Sequence, residues 1–253
     1  MPGTALITGA GRRIGRAIAQ DLAGRGWAIG VHYHHSADDA HALVEAIVKG
    51  GGKAVALAAD LADEDAAEAL IPQCSAALGT TSLLINNASL FENDSLATAT
   101  ASSWAAHMAV NLRAPLVLTQ GLMAGLGDDG ADGADPEMSG NIINMLDQRV
   151  WNLSADFLSY TTSKAGLWTL TQTLALACAP RVRVNGIGPG PALASKRQSP
   201  AQFEESCQRL PLGRGTTPSE ICNAVRFILD SPAMTGQMIA LDGGEHLVST
   251  PAP

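Results

Sequence analysis

Seven short runs of apolar and β-branched residues punctuate the chain: Ala5–Thr8, Ala28–Tyr33, Ala54–Leu57, Leu83–Ile85, Ile142–Met145, Val182–Ile187 and Met238–Leu241. Each has the length of a strand and most are close to apolar throughout, the pattern of a strand covered on both faces. Longer stretches such as Ile14–Ala23, Ala37–Lys49 and Tyr160–Ala177 lie between them and read as helices. Strand and helix in alternation predict an α/β fold, a mostly parallel, doubly wound sheet with helices on both faces. Ligands of such sheets bind beyond the carboxyl ends of the strands, so the chemistry is expected there.

Two segments break the rhythm. Gly127–Gly140 is rich in Gly, Asp and Pro and reads as a solvated loop before the fifth strand. Its aspartates do not make an EF-hand, because Gly130 and Ser139 stand where ligands belong. Pro189–Cys207 follows the sixth strand with few apolar residues, and residues 191–207 are expected to form a substrate lid over the strand ends.

Composition narrows the classes. A chain of 253 residues that is 46% hydrophobic can bury a full core, and no shift in composition divides it, so residues 1–253 are expected to form one domain. A net charge of −8 argues against nucleic acid or an anionic membrane as partner, and no apolar run reaches membrane-spanning length. The four cysteines are too scattered for a disulfide framework. No basic leader precedes Ala5-Leu6-Ile7, so a cytoplasmic protein with reduced thiols is expected.

The first strand runs into Thr8-Gly9-Ala10-Gly11-Arg12-Arg13-Ile14-Gly15 and then a helix. Glycines at such a turn let the backbone approach a pyrophosphate, which the helix N-terminus attracts; a tight turn without ligand is the alternative. Arg12 and Arg13 oppose the helix dipole unless an anion lies between them. Nineteen and twenty positions past Gly15 stand His34 and His35, followed by Ser36, where an enzyme using NAD would carry an acid. Imidazoles and a hydroxyl can donate to a 2′-phosphate that a carboxylate would repel, so the reading is NADPH. The remaining histidines, His32, His41, His107 and His246, read as ordinary surface residues, and no metal site is expected. Asp60 reads equally well as the cap of the next helix.

Tyr160 and Lys164 lie four apart on a predicted helix and share a face. A nearby ammonium is expected to lower the phenol pKa and make the tyrosine a usable proton donor or acceptor. Together with the glycine turn, Asn87-Ala88, Asn111, Arg183-Val184-Asn185, Pro189-Gly190 and Leu241-Asp242-Gly243-Gly244, the pair resembles the short-chain dehydrogenase/reductase family across nearly the whole chain. The resemblance implies a seven-stranded Rossmann sheet, commonly a homotetramer, and hydride transfer from a nicotinamide beside the tyrosine. It implies further that Gly9, Arg12, Arg13 and Ile14 hold the pyrophosphate side, and that Asp60 and Leu61 approach the adenine. Asn87, Ala88 and Ser89 would meet the ribose side, together with Tyr160 and Lys164, and Pro189 and Gly190 the nicotinamide. Asn111 would support a water that relays protons to Lys164.

Three departures from the common family pattern narrow this. Asp147 stands thirteen residues before Tyr160 in place of serine, Arg13 replaces the middle glycine of the turn, and Ser89 rather than glycine follows Asn87-Ala88. All three resemble pteridine reductases and bacterial dihydromonapterin reductases, as do His32-Tyr33-His34-His35-Ser36 and Ile143-Asn144-Met145-Leu146-Asp147. That resemblance places Arg13, Ser89, Phe91, Asp147 and Tyr160 around a small-molecule substrate, with Phe91 stacked on a pterin ring. A core aromatic is the alternative for Phe91, and a turn-capping carboxylate for Asp147. Two rivals stay open: a ketone or 3-oxoacyl reductase on the same scaffold, and a non-catalytic NADPH-binding sensor.

Overall fold

In the computed structural model of the chain, residues 2–127, 140–194 and 198–248 are described. The apolar runs become strands β1 (Thr4–Ile7), β2 (Ala28–Tyr33), β3 (Ala54–Ala58), β4 (Thr81–Asn86), β5 (Gly140–Met145), β6 (Val182–Pro189) and β7 (Met238–Leu241). They form one sheet in the order β3-β2-β1-β4-β5-β6-β7, and all six pairings are parallel. The helices are α1 (Arg13–Ala23), α2 (Ala37–Lys49), α3 (Glu64–Leu78), α4 (Ala101–Met108), α5 (Ala114–Gly125), α6 (Leu158–Ala177), α7 (Pro200–Gln208) and α8 (Pro218–Leu229). Single-domain Rossmann architecture follows, as the alternation of elements predicts.

Alternate residues of each strand feed opposite faces, because side chains alternate along a strand. Ala5, Ile7, Leu83, Ile85, Ile143 and Ile187 pack beneath α1, α2 and α8, where Ile18, Leu22, Leu43, Ile221, Val225 and Ile228 meet them. Leu6, Leu84, Ile142, Val182 and Val184 face α3, α5 and α6, against Leu70, Ile71, Leu118, Leu122 and Leu174. Fully burying each such side chain stabilises the fold by about 1.5–3 kcal/mol.

Strand order reverses at β1, whose neighbours β2 and β4 leave it on opposite sides, and this opens a crevice beyond the carboxyl ends of β1 and β4. The loop expected at Gly127–Gly140 lies, apart from its two end residues, outside the described residues. Within the expected lid, 195–197 are also outside them, and residues 200–207 belong to α7, opened by a reciprocal Ser199–Gln202 capping box. Among the described residues no helix is long and apolar enough to cross a membrane.

Candidate active site

The glycine turn is fastened to the end of β4 by short polar bonds. Thr8 Oγ1 accepts from the backbone N–H groups of Asn87 and Ala88, both at 2.9 Å, while Asn87 Nδ2 donates to Thr8 O at 2.8 Å and Gly9 O at 3.2 Å. Gly15 is required here by space: a β-carbon would stand 2.5 Å from both Asn87 Nδ2 and Gly9 O. The first turn of α1 carries no acidic residue, and Arg12 supplies no side-chain cap. Its N–H groups thus face the crevice without a protein anion, which suits a phosphate.

Arg13 has φ of 53°, a left-handed conformation in which a residue with a β-carbon is strained, where the family pattern has glycine. Its guanidinium donates to Ala194 O at 2.8 Å and Leu193 O at 3.1 Å, and so ties the cofactor turn to the segment after β6. Arg12 turns the other way and pairs with Asp39 of α2.

Two histidines expected at the surface are buried. His32 is 2% exposed; Gly9 N donates to its Nδ1 at 3.0 Å, which leaves the Nε2 proton for Ala59 O at 3.2 Å. Burial lowers its pKa to about 4, so it is a neutral brace for the glycine turn. His107 is fully buried, bonded to Ser103 O and Glu92 N. His34 and His35 stack in the open at the end of β2, ring centroids 3.5 Å apart, with His34 Nε2 3.8 Å from Asp60 Oδ2. Asp60 does not cap α3: its Oδ1 accepts from Ala62 N, and Asp63 is the cap. Leu61 is buried beside it.

The chemical corner sits at the ends of β5 and α6. Tyr160, Lys164, Leu167, Thr171 and Leu174 form one buried stripe of α6 at spacings of four and three, polar at the site end and apolar deeper down. Tyr160 Oη donates to Asp147 Oδ2 at 2.7 Å, and Asp147 Oδ1 accepts from Arg149 N at 2.9 Å. Asp147 is therefore both a turn cap and the partner of the phenol. Burial pushes its carboxyl above the ordinary range, against the opposing bonds from Arg149 and Tyr160. Burial first, and then the charge of Asp147, raise the Tyr160 phenol well above its ordinary value. This corrects the expectation that Lys164 lowers it. The Lys164 ammonium donates to Met145 O at 2.7 Å and lies 5.9 Å from the tyrosine ring centroid, and burial brings its own pKa down to about 8.

Phe91 lies flat on Phe157, with centroids 4.5 Å apart and planes 2° apart, and meets Tyr160 edge-on at 4.7 Å. At 37% exposed it is no core aromatic. Asn111 sits in a π turn (Ala109–Arg113) between α4 and α5. Its amide bonds Leu90 N and O at 2.8 and 2.9 Å and Ser163 Oγ at 3.0 Å, and Ser89 Oγ lies 3.3 Å from Asn111 Oδ1.

One cavity of about 480 Å³ brings together Arg13, Ile14, Asn87, Ser89, Phe91, Asp147, Tyr160, Lys164, Pro189 and Gly190. Gly9, Arg12, His34, His35, Ser36, Asp60, Leu61, Ala88 and Asn111 are not on its wall. Arg149, Asp94 and Glu245 were not foreseen. Arg149 and Glu245 line the cavity, and the Arg149 guanidinium lies 5.0 Å from the Phe157 ring centroid. Buried Asp94 accepts from Ser159 N at 2.9 Å and from Ser159 Oγ, and so holds the start of α6, where Phe157 is left-handed and supplies no cap. The signal for Asp94 is absent from its neighbourhood in sequence, since its partner lies 65 residues away.

A parallel doubly wound sheet, a glycine turn at its switch point and a buried Tyr-Lys pair define a dinucleotide-binding oxidoreductase. The chain belongs to the short-chain dehydrogenase/reductase family, and the family profile described as enoyl-(acyl carrier protein) reductase matches residues 9–246. Among solved structures it is similar to FolM alternative dihydrofolate reductase 1 from Brucella canis complexed with NADP, 42% identical at a TM-score of 0.91 over 98% of this chain and 96% of that one. A blue fluorescent protein from a metagenomic library, in complex with NADPH, is 30% identical at a TM-score of 0.86 over 96% and 97% of the two chains. The 3-oxoacyl-[acyl-carrier-protein] reductase of Synechocystis is 31% identical over 95% of both chains.

Proposed function

We propose that the protein is an NADPH-dependent reductase of the C=N bond of a dihydropterin, converting it to the tetrahydropterin. The observation that carries this reading is the 2.7 Å bond between Tyr160 and Asp147 where most of the family has serine. Serine suffices beside a ketone, whereas protonation of a ring nitrogen is served by a carboxyl group able to hold and pass on the proton. Similarity to the NADP-bound FolM reductases supports both cofactor and substrate class.

The donor chemistry fits a dinucleotide bearing a 2′-phosphate. The uncapped first turn of α1 with Gly9, Arg12, Arg13 and Ile14 would take the pyrophosphate, and His34, His35 and Ser36, with no carboxylate among them, the 2′-phosphate. Asp60 and Leu61 would border the adenine, Asn87, Ala88 and Ser89 the ribose side with Tyr160 and Lys164, and Pro189 and Gly190 the nicotinamide. When bound, NADPH supplies the hydride.

The residues of the chain handle the proton. The raised pKa keeps the Tyr160 phenol protonated near neutrality, so it is a donor and not a base at the start. As the phenol gives its proton to the ring nitrogen, the buried ammonium of Lys164 favours the negative oxygen, and a proton taken up from solvent and passed through the Asp147 carboxylate restores the phenol. Asn111 fixes Ser89 and Leu90 and belongs to the proposed proton path behind Lys164. Phe91 and the nicotinamide would sandwich the flat ring, with Arg13 and Ser89 at its polar edge. Assembly as a cytoplasmic homotetramer belongs to the same proposal.

The similarity to 3-oxoacyl reductases supports a second reading, reduction of a carbonyl. The test is NADPH oxidation by the purified protein with dihydrobiopterin, dihydromonapterin and dihydrofolate beside simple ketones and a 3-oxoacyl thioester. Turnover of a dihydropterin that Asp147→Ser abolishes is expected. Turnover confined to carbonyls would give Asp147 and Phe91 structural roles, and tight NADPH binding without any oxidation would leave a sensor.

A further inference from the structure

The segment that leaves β4 brings Phe91 to the cavity without strand or helix of its own between Asn87 and Ser95. Backbone N–H and C=O groups of such a stretch need partners from outside it, and side chains of neighbouring elements supply them. Leu90 is held at both its N–H and its carbonyl by the Asn111 amide, and Glu92 N donates to His107 Nε2 at 3.3 Å. Phe91 thus stands between two clamped neighbours. Its ring is partly exposed, so the backbone on either side of it decides where it points.

His107 lies in the last turn of α4, is fully buried and is not on the cavity wall. Its Nδ1 stands 2.8 Å from Ser103 O, one turn back on the same helix. A carbonyl oxygen only accepts, so Nδ1 carries the proton and Nε2 keeps the lone pair that Glu92 N–H requires. The ring is the neutral Nδ1–H tautomer. A neutral ring brings no charge to the helix end, so the macrodipole does not account for a histidine there. Ser103 shares this face of α4, and its Oγ donates to Asp94 Oδ2 at 3.2 Å. Asp94 in turn accepts from Leu158 N at 3.2 Å and Ser159 N at 2.9 Å in the first turn of α6, next to Tyr160. One face of α4 therefore grips the segment at Glu92 and at Asp94. The His107 and Tyr160 ring centroids are 6.5 Å apart, so the imidazole reaches the chemical corner through this segment and not by a direct bond.

We propose that His107 is a positioning residue: by accepting from Glu92 N it fixes the stance of Phe91 edge-on to Tyr160, and so holds the wall on which the substrate rests. The working atom is Nε2, and the bond from Nδ1 to Ser103 O sets the tautomer that leaves Nε2 an acceptor. The inference rests on the reading of Tyr160 as the proton donor and holds for any substrate reduced at that corner. It separates two side chains that a general packing role would treat alike. Glutamine can place an acceptor where Nε2 stands, whereas the shorter asparagine can reach Ser103 O but not Glu92 N.

The experiment reads the bond first and its consequence second, on the full chain. Hydrogen exchange, followed by mass spectrometry across residues 89–95, is expected to show Glu92 N–H protected at least about tenfold in the unmodified protein. An unprotected amide overturns the proposal without any variant, which covers the case of a substitution that does not fold. His107→Asn is expected to lose that protection and His107→Gln to keep most of it. Steady-state constants are then measured with NADPH and whichever dihydropterin or carbonyl the unmodified enzyme reduces. The KM for that substrate is expected to rise about tenfold in His107→Asn and less than about threefold in His107→Gln, with the KM for NADPH within about twofold in both. Equal behaviour of the two variants, or a loss shared by the NADPH KM, overturns the positioning role and leaves Tyr160 as donor untouched. If the unmodified enzyme reduces nothing, the reading of Tyr160 falls and the role of His107 falls with it, even where exchange shows the bond.

Discussion

The corner that holds Tyr160 and the shelf that holds His34 and His35 lie on one crevice and are built in opposite ways. At the corner Tyr160 is 5% and Lys164 2% exposed, and each polar group is committed to a named partner: the phenol to Asp147, the carboxyl to Arg149 N as well, the ammonium to Met145 O. On the shelf the two imidazoles stack in solvent and stand near Asp60 with nothing shorter than 3.8 Å between them and its carboxylate. Burial amplifies charge, so the corner shifts its own ionisation and sets what reaction can occur. Exposed charges are screened, so the shelf can only bias which cofactor binds. The difference predicts that substitutions at the corner change kcat, and those on the shelf change the choice between NADPH and NADH.

The largest expected effect is at the corner. Tyr160→Phe removes the proposed proton donor while preserving the ring that meets Phe91, and kcat for the accepted substrate is expected to fall about a thousandfold with the circular dichroism spectrum retained. A tenfold loss or less would show that the proton comes from elsewhere. Next comes the support beneath it. Asp94→Ala strips the start of α6 of its acceptor, and urea denaturation is expected to show a loss of about 1–3 kcal/mol; an unchanged midpoint would mean that water replaces the carboxylate. On the shelf, the double change His34→Asp and His35→Asp places carboxylates at the proposed 2′-phosphate position. The ratio of kcat/KM for NADPH over NADH is expected to drop about tenfold or more, with kcat on the better cofactor nearly kept.

The smallest effect concerns the pH dependence of stability. Glu245 in the folded protein titrates near 7, above its ordinary 4.5, under the influence of burial, Asp147, Arg149 and Asp242. Between those values the folded chain binds more protons than the unfolded one, so this contribution is full below the lower value and is lost as pH rises through about 7. Glu245→Gln lacks that slope. Its melting temperature is expected to gain on the unmodified protein between pH 5 and pH 8, by about 2–4 °C per kcal/mol of change, and a pH-independent difference would show that the carboxyl is solvated.

Most of the architecture was legible along the chain because its signal is local. A strand covered on both faces has to be apolar at successive positions, and Ala5–Ile7 or Leu83–Ile85 shows this without knowledge of any neighbour. The boundaries were less so: β6 runs on to Pro189 and α6 begins two residues early, at Leu158, because tertiary bonds from β7 and Asp94 extend them. Of the site, Tyr160, Lys164 and Asp147 were visible from spacing and family pattern, and the structure brings them together.

What the order of residues determined by itself is the α/β alternation, the glycine turn, the absence of an acid at the end of β2, and the identity of the residues at the chemical corner. What only the tertiary structure decided is their ionisation and their company. The spacing of Lys164 from Tyr160 suggests a phenol made more acidic, yet the carboxyl across the gap and the burial of all three groups raise its pKa instead. Likewise His32 and His107 are surface residues by composition and buried braces by position. Asp94 and Glu245 reach the site from distant segments, joined to it only when the sheet closes its order. Local pattern reports which face of an element is apolar, whereas the energy of a charge depends on everything packed around it, and that is a property of the folded chain alone.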